Sequence, residues 1–345
     1  MSKPQIVEID GKHLSLTNLD KVLYPATGFT KGQVIDYYAR IGPVLLPHLT
    51  NHLLTLKRYP GGVDQECFFE KNATKYRPDW VKTVPIWSEG NQRNVNYILA
   101  NDLPSLIWIA NLAAIELHPS LSLAKNISCP TMMVFDLDPG PPANIVQCCQ
   151  VGIWLRAIFE HFNLQSFAKT SGSKGLQLYV PLHTSTNYDA TKNFAHALAR
   201  LLEQEHPELV VSDMKKQLRT GKVLVDWSQN DEHKTTVSIY SLRAREHPTV
   251  STPVTWEEVE QALKKKDASL LVFEAEQVLE RVRKMGDLFE PVLKLKQRLP
   301  RFPEVEKEVT AEQGIDLAAQ AETKRASRKK AASAKSAKTK KRRKV

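Results

Sequence analysis

MMVFDLDPG (residues 132–140) decides how the chain is read. Met132, Met133, Val134 and Phe135 form an apolar run of buried-strand type, and Pro139-Gly140 ends it. Strand side chains alternate between faces, so Asp136 and Asp138 point the same way, about 7 Å apart. Burying two like charges is costly unless a cation sits between them. The pair is therefore either a site for one or two divalent metals or an acidic strand-to-turn junction. The rest of the chain has to decide.

Downstream, Pro141-Pro142 leads to a helix over about 144–162. Then Thr170-Ser171-Gly172-Ser173-Lys174-Gly175 joins two strands within 167–181. Such a loop offers backbone N–H groups, hydroxyls and one cation, which suits a triphosphate. No G-x-x-x-x-G-K-[ST] signature is present and no helix follows, so the loop alone is also compatible with an ordinary hairpin. A helix spans about 189–205, and a stretch rich in Lys and Arg, including Arg219, covers 209–222. Val223-Leu224-Val225-Asp226 repeats the opening theme, a carboxylate closing an apolar strand, and Gln229 follows. Val237–Tyr240 reads as another strand leading to Arg243, and helices are expected over about 256–266 and 274–285.

Upstream, residues 6–16 read as a hairpin around Asp10-Gly11. Lys21 precedes a loop, and Thr30 with Gln33 forms a capping box for a helix over about 31–46. Lys31 in its first turn is either an exposed lysine opposing the helix dipole or, with Lys21, a phosphate ligand. Lys57-Arg58 ends a strand and faces the question of what Phe68-Phe69 do. Basic residues beside aromatics suit phosphate contact and base stacking; the alternative puts one Phe in the core. Residues 83–100 read as strand, turn, strand, and Ser105–Leu117 as an apolar helix running into His118-Pro119. His118 at that element end is either structural or a ligand contact.

Three Asp at strand ends, a Ser/Gly/Lys loop and several basic residues converge on one chemistry. Two metals held by three carboxylates can bridge a triphosphate and activate a 3′-hydroxyl, with cations such as Lys174 and Arg243 offsetting its charge. That is nucleotidyl transfer.

The totals fit. The 345 residues suffice for one large domain or two ordinary ones, and no apolar run is long enough to span a membrane. The four cysteines, Cys67, Cys129, Cys148 and Cys149, lack C-x-x-C spacing, so reduced thiols in a cytosol-like compartment, with no zinc site, are expected. Net charge is +10, but residues 321–345 hold twelve Lys/Arg and one Glu, +11, leaving about −1 for the rest. A near-neutral body with a basic tail needs a local cationic cluster to hold nucleic acid.

The sequence resembles the polymerase domain of bacterial and archaeal ligase D, within the archaeo-eukaryotic primase superfamily. The resemblance covers about residues 8–300. It is carried by LTNLDKVLYPATG (16–28), LKRYPGG (56–62), FFEK (68–71), WIANLAAIELHP (108–119), FDLDPG (135–140), KTSGSKGL (169–176), VDWSQN (225–230), YSLRAR (240–245) and VSTPVTW (250–256). It implies an α/β fold whose two β-sheets, flanked by helices, form a central active-site cleft, with a catalytic domain over 1–303; composition, not the resemblance, marks 304–345 as a disordered basic tail. It implies metal-binding catalytic roles for Asp136, Asp138 and Asp226. Nucleotide binding falls to Lys57, His118, Ser171, Lys174, Arg219, Gln229 and Arg243. Lys21 and Lys31 match residues that grip a downstream 5′-phosphate, and Phe68 and Phe69 match aromatics that stack on the template. The loops at 83–98 and 209–222 fall where the family brings two DNA ends together.

The activity implied is gap filling and end extension in non-homologous end joining, with Mn²⁺ or Mg²⁺ (two ions) and a leaning towards ribonucleotides. The implied partners are DNA with gaps or breaks bearing a 5′-phosphate, NTPs and dNTPs, the Ku end-binding protein and a separate DNA ligase, since no K-x-D-G ligase motif occurs. A stand-alone polymerase is thus expected, its tail acting as a DNA tether or a solubilising or targeting segment. One departure stands out: the family usually has His where this chain has Gln177. Two other readings stay open: a primase that begins chains itself, and a non-catalytic end-binding module.

Overall fold

The computed structural model describes residues 4–300. The expected basic tail lies outside the described residues. The N-terminal hairpin forms as expected from strands β1 (Gln5–Ile9) and β2 (Lys12–Leu16), followed by β3 (Val22–Tyr24) and β4 (Phe29–Thr30). The capping box opens helix α1 (Lys31–Leu49): Thr30 Oγ1 accepts from Gln33 N at 3.3 Å and Gln33 Oε1 from Thr30 N at 2.8 Å. Its Val34, Tyr37, Tyr38, Ile41 and Leu45 are buried, as their helical spacing requires.

Next come β5 (His52–Arg58), β6 (Phe68–Glu70), β7 (Thr83–Ser88), β8 (Arg93–Ile98), α2 (Leu103–Asn111), β9 (Ala114–Leu123) and β10 (Asn126–Pro130). These strands form one sheet in the order β10-β9-β5-β8-β7, with β6 paired to β5. Here the expected helix over 105–117 is corrected. Helix α2 stops at Asn111, Ala113 takes a left-handed conformation (φ 57°), and the chain continues as β9. Apart from Asn111 and Glu116, Leu106 to Leu117 is apolar and mostly buried, and such a run carries no period that separates helix from strand. His118 therefore lies inside a strand, not at a helix end.

The quoted stretch is β11 (Met132–Pro139), followed by α3 (Ile145–His161), β12 (Phe167–Thr170), β13 (Leu176–Pro181), α4 (Tyr188–Glu205), β14 (Val210–Val211) and β15 (Val223–Asp226). Strand β16 (Pro253–Val254), α5 (Trp256–Lys265), α6 (Ala275–Met285) and α7 (Glu290–Lys294) complete the fold. The second sheet runs β14-β15-β11-β13-β12-β16. Val237–Tyr240 is not a regular strand. Its amides still bond to β9, Thr236 N to Pro119 O (3.2 Å) and Ser238 N to Leu117 O (2.8 Å), and left-handed Tyr240 (φ 57°) ends the extended run.

Alternation on the second sheet creates the site. Met133, Phe135 and Leu137 of β11, Leu176 and Leu178 of β13, and Val223 and Val225 of β15 point into one core with α3, α4 and α5. The intervening residues, Val134, Asp136 and Asp138, take the other face. There Val134 and Tyr179 join the second core, built on the first sheet with α1 and α2. The carboxylates thus stand on the face that the second sheet turns to the first.

Candidate active site

Register, not chain proximity, assembles the site. Asp136 pairs with Gln177 across β11–β13 and with Asp226 across β11–β15, and Gln177 pairs with Lys169 on β12. Lys169, Gln177, Asp136 and Asp226 therefore form a row across four strands. Asp138 lies two residues on, opposite Leu224.

Asp136 has its pKa raised to about 6, first by burial and then by the charges of Asp226 and Asp138, against a hydrogen bond from Gln177 and the charge of Lys169. A carboxylate so destabilised as an anion is one that a cation would relieve. The other two carboxylates are held by protein donors. Asp226 Oδ1 accepts from Ser228 N (2.9 Å) and Ser228 Oγ (2.6 Å), and its Oδ2 from Gln229 Nε2 (3.0 Å). Asp138 Oδ2 lies 3.4 Å from Arg219 Nη1. Accordingly, among the described residues, no three His, Cys, Asp or Glu side chains converge as a preformed metal cluster. The donor set, carboxylate oxygens only, suits a hard divalent ion such as Mg²⁺ or Mn²⁺. Gly140 makes the Arg219 contact possible: a Cβ there would stand 1.9 Å from Arg219 O.

A cavity of about 320 Å³ opens beside this row. Asp136, Asp138 and Gln177 line one wall; His118, Ser171, Lys174, Gln229 and Arg243 line the others. Ser171 Oγ accepts from Ser173 N (3.2 Å) and Gly175 N (3.0 Å), which leaves its own hydrogen to donate. Those two amides are thereby spent within the loop, so the loop's anion affinity rests on the Ser171 hydroxyl and Lys174 rather than on a nest of N–H groups. Thr249 Oγ1 holds Gly172 O at 2.6 Å, and Arg243 Nη1 donates to Ser171 O. His118 comes from β9 on the opposite sheet, and burial pushes its pKa down while Glu116 pulls it up. The cavity thus takes residues from both sheets.

Lys57, also on that opposite sheet, has its ammonium 5.3 Å from the Tyr59 ring and 5.4 Å from the Phe69 ring, and Phe69 meets His118 edge-on at 5.9 Å. Phe68 and Phe69 are both exposed, 46 % and 60 %, which removes the alternative that one is core. Phe68 covers the Arg58 guanidinium at 5.1 Å.

Lys31 is not exposed. It is buried, and its Nζ donates to Thr17 O (2.6 Å) and Thr17 Oγ1 (3.2 Å). Burial, then the charges of Lys21 and Arg58, lower its pKa to about 8. Lys31, Lys21 and Arg58 thus form a local cluster of mutually repelling cations on a near-neutral body. The helix N-terminus adds little to it: Lys31 N bonds to Lys21 O, Gly32 N to Leu19 O and Gln33 N to Thr30 Oγ1.

Sequence reasoning did not single out Glu116, Lys169 or Thr236. Glu116 and Lys169 are buried in the middle of strands, where a charge signals a partner brought by tertiary structure. Lys169 Nζ donates to Ser251 Oγ at 2.6 Å. For Glu116 and Lys169 an unexpected charge within an apolar strand was the mark in the sequence; Thr236 carried none.

Residues 30–289 match the LigD primase-polymerase domain family. The chain is 41 % identical over 283 residues to the multifunctional non-homologous end joining protein LigD of Mycolicibacterium smegmatis, covering 81 % of this chain and 36 % of that protein. It is 32 % identical over 274 residues to the bifunctional LigD of Bacillus subtilis, covering 79 % and 43 %. The chain spans well under half the length of these relatives. Among solved structures, the polymerase domain of Mycobacterium tuberculosis ligase D in complex with DNA superposes with a TM-score of 0.76 at 40 % identity, covering 82 % of this chain and 99 % of that one. The carboxylate row, the cation-lined cavity and these matches agree: the chain belongs to the LigD primase-polymerase domain family, and with it to the nucleotidyltransferases.

Proposed function

We propose that this protein is a DNA-dependent polymerase that fills short gaps and extends ends during non-homologous end joining, using a downstream 5′-phosphate to position itself. The observation that carries the reading is the register of Asp136 against Asp226, with Asp138 on the same face, beside a cavity lined by Ser171, Lys174, His118 and Arg243. Acidic and cationic halves of one cleft fit metal-assisted transfer to a triphosphate.

Asp136, Asp138 and Asp226 would hold Mn²⁺ or Mg²⁺, with two ions matching three carboxylates. Bound there, the cations supply neutralisation of the triphosphate and acidification of the attacking hydroxyl. The chain's own groups do the positioning. Ser171 and Lys174 donate to phosphate oxygens from one side, Arg243 and His118 from another. Gln229 keeps Asp226 in place through its 3.0 Å bond. Arg219, 3.4 Å from Asp138 Oδ2, would be free to meet the triphosphate once that carboxylate served a metal. The new bond joins a 3′-oxygen to the α-phosphorus, and the bond to the leaving pyrophosphate breaks.

The Lys21–Lys31–Arg58 cluster suits a phosphate dianion at a recessed 5′ end, and exposed Phe68 and Phe69 suit template stacking. Ribonucleotides and deoxyribonucleotides are the substrates, ribonucleotides preferred. A Ku end-binding protein and a DNA ligase are the partners, in the cytoplasm at the nucleoid. Primer extension across a short gap, with Mn²⁺ or Mg²⁺ and either sugar, tests this. Template-directed addition is expected, faster with ribonucleotides; binding of gapped DNA with no addition would instead mark a non-catalytic end-binding module.

A further inference from the structure

A buried carboxylate in an anion-binding cleft is out of place unless it has work there. Glu116 on β9 is 2 % exposed. It lies directly opposite Lys57 on β5, as Thr55 lies opposite His118. Its two oxygens take two hydrogen bonds and one ion-pair contact. Oε2 accepts from His118 Nε2 at 3.0 Å; Oε1 accepts from Ala244 N at 3.1 Å and lies 3.2 Å from Arg243 Nε. Burial opposes ionisation, but the His118 hydrogen bond and the charges of Arg243, His118 and Lys57 outweigh it, so Glu116 is held well below the usual carboxylate range.

The geometry fixes what remains free. Arg243 spends its Nε edge on Glu116 and Nη1 on Ser171 O, while its backbone carbonyl accepts from buried Tyr24 OH at 3.0 Å. His118 spends Nε2, which leaves Nδ1. Both side chains line the cavity beside Asp136. Through Arg243, Glu116 also braces the Ser171 loop from the opposite sheet.

We propose that Glu116 is a positioning residue for the nucleotide: it orients His118 and Arg243 towards the triphosphate and does not touch the substrate itself. This rests on the reading of the cavity as the nucleotide site. Two effects of Glu116 on a triphosphate oppose each other. Its charge repels the phosphates; its hydrogen bond to His118 and its ion pair with Arg243 preorganise the two groups that bind them. Two hydrogen bonds and a 3.2 Å ion pair, all desolvated, favour the second.

Glu116→Gln separates them. It removes the charge and keeps the shape, but one oxygen becomes an NH₂ facing an existing donor. If Glu116 were only a nearby charge, ATP would bind the variant more tightly. If it positions, calorimetric Kd for ATP rises about 10- to 100-fold, the range for losing a hydrogen bond to a charged group. In extension assays the same factor falls on KM for the nucleotide, with the Kd for 5′-phosphorylated gapped DNA unchanged. In an Arg243→Ala background the substitution costs less, because one of the two groups it orients is gone and only the His118 contribution is left. The His118 imidazole, followed by NMR, titrates at lower pH in Glu116→Gln. An unchanged or lowered Kd for ATP in a folded variant overturns the proposal, as does full additivity with Arg243→Ala. Should Glu116→Gln fail to fold, Glu116→Asp keeps the charge but is too short to span its partners. Its Kd for ATP must still rise, and a wild-type value overturns the proposal. Calorimetry needs no turnover, so failure of the polymerase reading, seen as absent extension by the unaltered protein, stays distinct from failure of this one.

Discussion

At the residue scale, two positions carry sharp expectations. Lys31 combines burial with two neighbouring cations, and its pKa of about 8 follows. A bound phosphate favours the ammonium, so rising pH removes the form that binds. The preference of the protein for gapped DNA with a 5′-phosphate over a 5′-hydroxyl should fall between about pH 7 and pH 9, measured by anisotropy. The effect is on binding and not on folding. The folded-state pKa lies below the unfolded value of 10.5, so losing this proton relieves a cost of folding. A preference that stays flat across that range would contradict the assignment. Gln177 is the second position. It is 3 % exposed, lines the cavity and hydrogen-bonds Asp136, but it cannot carry a proton. Gln177→His should raise the extension rate, by about 1–3 kcal/mol in the barrier if one charged hydrogen bond is gained. An unchanged or lower rate would sink the idea.

At the element scale, the loop between β12 and β13 is set by backbone contact. A Cβ on Gly175 would stand 2.1 Å from Leu137 O, on the strand that carries the aspartates, and Gly172 has φ of 65° with a Cβ position 2.6 Å from the Val250 carbonyl carbon. Gly175→Ala must push the loop off the sheet, costing about 1–3 kcal/mol as overpacking does. Thermal unfolding should show the loss and KM for the nucleotide should rise. Gly90→Ala, with nothing within 4 Å, should leave both unchanged. This scale also divides what was legible. The Asp strand, the Ser/Lys hairpin and the capped α1 each announce themselves through period or turn chemistry. Strand β9 does not, because a run apolar on both sides reads equally as helix. Glu116 was hidden with it: once 105–117 is taken for a helix, Glu116 and His118 no longer share a face, and their joint role disappears.

At the scale of the whole molecule, function depends on two sheets that the sequence leaves unconnected. One contributes Lys57, Glu116 and His118; the other contributes the three aspartates, Gln177 and the Ser171 loop. The segment from Thr235 to Arg243 runs between them, bonded to β9 by the Thr236 and Ser238 amides and lining the cavity with Thr235, Thr236 and Val237. No local pattern predicts such a union, because it is written in long-range register. The family resemblance supplied the expected residue roles; the structure brings Asp136, Asp138, Ser171, Lys174, His118 and Arg243 to one cavity. It also changes the picture at Lys31, where the first amides of the helix are already bonded and a cluster of cationic side chains stands in their place as the proposed anion site.

The most direct test is single-nucleotide gap filling with Mn²⁺ on a duplex whose downstream strand carries either a 5′-phosphate or a 5′-hydroxyl. The unaltered protein should add one templated nucleotide, faster beside the 5′-phosphate. Asp136→Ala should bind both duplexes as tightly as the unaltered protein and add nothing. Addition surviving in Asp136→Ala, or none by the unaltered protein, would contradict the account.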